Sequence, residues 1–76
     1  MEKKIYTNYY VVNYGWDGLQ IEDREWSMFD DFDSAKELAE ENAKYKGVQR
    51  SCVYMHIEDE SGNVIVEAEK VACFDH

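Results

Sequence analysis

The chain has 76 residues and a net charge of −9, with 17 acidic side chains against eight lysines and arginines. That length supports one domain, close to the lower limit at which a single core suffices without staples. The charge argues against binding nucleic acid through phosphates, which needs clustered cations, and against an anionic membrane surface for the same reason.

There is no proline, no low-complexity run and no internal repeat, so no linker is expected. No apolar run approaches the roughly 18 residues that span a bilayer. Met1-Glu2-Lys3-Lys4 leads into a strand-like segment with no signal-peptide pattern, and the cytoplasm is therefore the expected location.

Residues 5–14, IYTNYYVVNY, are aromatic and β-branched, with apolar side chains in both alternating phases. This predicts a well-covered, central strand. Gly15-Trp16-Asp17-Gly18 is a turn signal. A second strand follows through Leu19 and Ile21, which share parity with Phe29, whereas Trp26 and Met28 lie in the opposite phase. Either a bulge near Asp23 shifts the face or the segment forms two short strands, and the bulge is favoured.

The one predicted helix runs from Ser34 to Gly47. Ser34 and Glu37 have capping-box spacing, and Asp30, Asp31 and Asp33 place negative charge at the positive end of the helix dipole. Lys44 and Lys46 would sit in the last turn, with Gly47 as a left-handed C′ residue. Ala35, Leu38, Ala39 and Ala43 share a face with Asn42, while Lys36, Glu37, Glu40, Glu41 and Lys44 lie opposite. Phe32 is expected under the first turn.

Residues 49–58 alternate, with Val53, Met55 and Ile57 on one face and Cys52, Tyr54 and His56 on the other. Asp59-Glu60-Ser61-Gly62-Asn63 reads as a hairpin loop, and residues 64–74 return as the last strand. The order is ββαββ. The predicted fold class is α+β: one four-stranded antiparallel sheet with a single helix packed on one face. A turn at Ser61-Gly62 pairs Cys52 with Val71 and Cys73 with Arg50. The sulfurs are then offset along the ladder, and two free thiols are expected.

Phe32-Asp33-Ser34, the alanine-spaced helix, and Asp59-Glu60-Ser61-Gly62-Asn63 followed by Val64 and Ile65 carry a resemblance. Over about two-thirds of the chain the pattern resembles small, uncharacterised bacterial and phage domains of ββαββ order. The resemblance implies a fold and transfers no catalytic residues. In size and acidity the chain is also similar to phage proteins that disarm host defences, including anti-CRISPR proteins.

Two features point to interaction surfaces. Between Asp17 and Glu41 there are ten acidic and two basic residues, whereas the remainder is nearly neutral. Such carboxylates could form an acidic edge that occupies a groove built for phosphates. The alternative is a solvated face that keeps a small protein soluble. The chain also holds two tryptophans, six tyrosines and three phenylalanines. A single helix covers one sheet face, so several of these must lie on the other, either as interface anchors or as cross-strand pairs.

Metal and catalytic patterns are poor. Asp30, Asp31 and Asp33 lack the spacing, central glycine and terminal glutamate of a calcium loop. His56, Glu58, His76 and two offset thiols do not form a zinc set. Cys52 and His56, about 13 Å apart along one strand, cannot make a thiol–imidazole pair. No phosphate loop, nucleophile elbow or HExxH motif occurs.

The expectation is a non-enzymatic protein without a cofactor that blocks a basic nucleic-acid-binding groove on another protein. A host nuclease or CRISPR effector is the concrete version of that partner. Asp23, Glu25, Asp30, Asp31, Glu37 and Glu41 would carry the charge, with Trp16 and Trp26 as anchors. The runner-up is a self-associating, homodimeric accessory domain whose acidity is only solvation.

Overall fold

A computed structural model describes residues 4–21 and 28–76. Its strands are β1 (Ile5–Tyr14), β2 (Met28–Phe29), β3 (Arg50–Asp59) and β4 (Val64–Asp75), with helix α1 (Phe32–Asn42) between β2 and β3. They form one antiparallel sheet in the order β2-β1-β3-β4. The fold is the α+β, ββαββ arrangement that the alternating patterns predict, and β1 is central as its two apolar phases require.

The core is small and lies at one end of the sheet. Ala35, Ala39 and Val53 are fully buried, with Tyr9, Val11, Phe29, Phe32, Ala72 and Phe74 packed around them. Alanine on the helix lets its backbone approach the strands closely, so the aromatic rings supply most of the buried area. Phe32 meets Tyr9 edge to face at 5.8 Å, the tuck expected of it. At the other end of α1, Asn42 Nδ2 donates to Asn13 Oδ1 at 3.3 Å, and Ser51 Oγ donates to the same oxygen at 2.6 Å. This polar knot explains why an asparagine sits in the apolar stripe of the helix.

The helix boundaries differ from those expected. Asp31, with extended backbone, is the N-cap and accepts the Ser34 amide at 2.9 Å, so Ser34 is already helical. An aspartate three residues before the expected cap outcompetes Ser34 because it brings a full charge to the free amides. The helix stops at Asn42, with Ala43 as C-cap. Lys44, Lys46 and Gly47 lie in the turns that follow, and Gly47 is not left-handed; the positive-φ glycines are Gly18 and Gly62.

Of the expected second strand, the described residues give β2 at Met28–Phe29 and an isolated bridge at Gln20. Tyr9 faces Phe29 and Tyr10 faces Met28, while Tyr14 bridges to Gln20. Tyr10 and Tyr14 are four residues apart, Met28 and Gln20 eight, so the two pairings do not share one register. Because the difference is even, Gln20 and Met28 keep the same face. The expected bulge at Asp23 falls outside the described residues.

The cysteines overturn the free-thiol expectation. Next to the turn the loop closes between Asp59 and Asn63 and Glu58 faces Val64, one residue off the register a Ser61-Gly62 turn requires; an irregularity between Ile57 and Glu58 then sets Ile57 opposite Val66. Two further irregularities, between Met55 and Ile57 and between Val53 and Tyr54, then slip β4 and bring Cys73 directly opposite Cys52. The two form a disulfide with Cα atoms 4.1 Å apart. The two slips together move β4 by two residues and so restore the original parity, which is why the sequence pairs Cys52 with Val71 instead.

Candidate protein-binding surface

The acidic residues of α1 lie where its amphipathic pattern puts them. Asp30 and Asp31 lead into the helix, and Asp33, Glu37, Glu40 and Glu41 follow along it; all six are exposed. From Asp33 to Glu41 the helix axis advances about 12 Å, roughly one carboxylate per 4 Å. That density approaches the ~3.4 Å per phosphate of one DNA strand. Lys36 offsets part of it through a 3.7 Å contact with Glu40. The Ser34 amide, and then its hydroxyl, hold the Asp31 carboxyl below its ordinary range, so this charge persists into mild acid.

The ridge collects Asp30, Asp31, Glu37 and Glu41 from the expected set. Asp23, Glu25 and Trp26 lie outside the described residues. Trp16 does not join the ridge: its ring nitrogen donates to the Lys46 carbonyl at 2.7 Å, and its ring meets His76 edge to face. It therefore sits beyond the C-terminal end of α1, away from the helix start that carries Asp30 and Asp31. There His76 donates from Nδ1 to the Ala43 carbonyl at 2.7 Å. A shallow, open groove of about 580 Å³ runs along this corner between Glu40, Ala43, Lys44, Phe74, Asp75 and His76.

The sheet face away from the helix has a different chemistry. Tyr10 stacks on Tyr54 at 5.6 Å, and the Tyr14 and Tyr54 hydroxyls share a 2.6 Å hydrogen bond. Lys70 lies over the Tyr54 ring at 5.9 Å, and Arg50 Nε donates to Asp75 at 2.7 Å. The bond to Tyr54 and then burial push the Tyr14 phenol up, and burial followed by the Glu67 charge does so for Tyr10. Cross-strand pairing accounts for these three tyrosines. Among the described residues, Tyr6, Trp16 and Tyr45 are the exposed aromatics. The alternation of Tyr6, Tyr10 and Tyr14 against Tyr54 was the available sign of this cluster.

His56 donates from Nδ1 to the Glu67 carbonyl and lies 3.6 Å from Glu58, within a strand pair. Among the described residues, no group of three or more His, Cys, Asp or Glu side chains is placed to hold a metal ion. No helix among them is long and apolar enough to cross a membrane. Fold and surface together define an α+β domain with an acidic helix ridge. No protein-family model, curated protein or solved structure matches the chain.

Proposed function

We propose that the protein is a non-enzymatic, protein-binding inhibitor whose acidic helix ridge occupies a basic groove built for nucleic acid. The supporting observation is the run of six exposed carboxylates, four of them on α1 at close to the charge spacing of one nucleic-acid strand. A groove lined by lysine and arginine would gain from such a ridge chiefly in association rate and selectivity. A nuclease or CRISPR effector encountered in a host cytoplasm is the concrete form of the partner, with Asp30, Asp31, Glu37 and Glu41 at the contact. Trp16, engaged with Lys46 and His76, is set aside as an anchor of this surface.

The test is a tagged pull-down from nuclease-treated host lysate at low and moderate salt. A nucleic-acid-handling protein should be retained at low salt and released as salt rises. Glu37→Lys with Glu41→Lys should weaken that capture by at least about tenfold and flatten its salt dependence. Undiminished capture by the double variant would exclude the ridge as the contact.

One observation favours self-association as a second reading. The sheet extends past the helix, and at that end Ile5, Tyr6, Val64 and Ile65 are each about half exposed or more. A second copy covering this end would make the protein a dimeric accessory domain.

A further inference from the structure

The Cys52–Cys73 disulfide is asymmetric in a way that decides which sulfur a thiol can attack. Cys52 lies on β3, an inner strand, and is fully buried; Cys73 lies on β4, the outer strand, and is exposed. Their residues face each other directly, so the sulfur–sulfur bond bridges from β3 to β4 across the ladder. Thiol–disulfide exchange proceeds in line: the incoming sulfur approaches opposite the sulfur that leaves. In-line approach to Cys73 therefore comes from beyond the sheet edge, through solvent. In-line approach to Cys52 would come from the β1 side, where its register partner Val12 is buried.

We infer that Cys73 is a thiol-exchange site, at which a small-molecule thiolate attacks Cys73 Sγ and Cys52 departs as the leaving thiolate. The bond formed joins the incoming sulfur to Cys73, and the bond broken is that between Cys73 and Cys52. Its electron pair leaves on Cys52, which takes a proton from solvent. A second thiol then attacks the mixed disulfide, releasing the oxidised small-molecule disulfide and leaving two protein thiols.

Two cations flank the site. Arg50 lies two residues from Cys52 on β3, and Lys70 faces Tyr54, two residues from Cys52 on its other side. Asp75 on β4 neutralises Arg50 in part, and Glu67 lies further along the same strand. Nearby positive charge favours both the approaching and the departing thiolate. The exchange site is independent of the acidic ridge, which lies on the helix across the sheet.

The test uses the oxidised full-length chain and glutathione under native conditions, with free thiols trapped by N-ethylmaleimide. Trypsin cleaves after Arg50 and Lys70, which separates the two cysteines into the peptides Ser51–Lys70 and Val71–His76. Glutathione should appear on Val71–His76, and the trapping reagent on Ser51–Lys70, with at least about a tenfold excess over the reverse arrangement. Equal labelling, or glutathione mainly on Cys52, would overturn the assignment. So would an absence of adduct until denaturant is added. Val12→Ala should raise the share of adduct on Cys52, since it opens the second trajectory; an unchanged ratio would remove Val12 as the barrier.

Discussion

Asn13 illustrates how much one polar residue can hold in a small core. Its side-chain oxygen accepts from both Ser51 and Asn42, tying β1 to β3 and to the end of α1. Asn13→Ala would leave the fully buried Ser51 hydroxyl without that acceptor, at a cost of about 1–3 kcal/mol. Thermal or urea unfolding reads this directly, and Asn13→Ala with Ser51→Ala should recover part of the loss. The carboxylates of Asp31 and Asp59 act through pH. Asp31 is lowered by Ser34, and Asp59 by the Asn63 amide first and then by its other loop partners. With folded values below the ordinary 3.8, their contribution is complete above that pH and is lost as pH falls through the folded values. Asp59→Asn should therefore flatten the fall in melting temperature below about pH 4 relative to the parent protein. An identical acid slope in the variant would show that the loop carboxylate carries none of it.

At the scale of elements, helix and sheet touch through alanines, so the contact has no room to grow. Ala39 is fully buried. Ala39→Leu should overpack it by about 1–3 kcal/mol, lowering the melting temperature by roughly 5–20 °C in a domain of this size. The same substitution at exposed Glu40 should be close to neutral. The helix was legible in its apolar period, yet its N-cap was misplaced by three residues because Asp31 and Ser34 are both good caps and only the path of the preceding chain chooses between them. β4 was legible as a strand but not in its pairing. Each irregularity moves the register by one residue, and a hairpin read from its turn loses the alignment after the first few pairs. The disulfide was hidden for that reason alone. Closing a loop with a sequence separation of 21, it contributes about 3 kcal/mol by chain entropy.

The whole molecule is longer than its length in residues implies. Its radius of gyration is 13.6 Å and its extents are 49 × 21 × 20 Å, against about 11.4 Å for a compact chain of this size. Strands of ten to twelve residues outrun an eleven-residue helix, because strand rise is about twice helix rise. Among the described residues, Ile5, Tyr6, Val64 and Ile65 lie exposed at the end of the sheet beyond the helix. If two copies meet there, multi-angle light scattering will report a concentration-dependent dimer that Ile65→Lys abolishes. A monomer at all concentrations would leave the ridge as the surface to pursue.

Local chemistry, written residue by residue, determined the ββαββ order, the central character of β1, the hairpin at Asp59–Asn63 and the acidic face of the helix. These follow from side-chain period and from turn and cap preferences that act over a few residues. The tertiary structure alone decided the strand order, the slip that joins Cys52 to Cys73, the separation of Trp16 from the helix start and the length of sheet left bare. Each of those depends on where two distant segments come to lie against each other, and many alignments share the same local pattern. Only the packing of side chains across the sheet selects one of them.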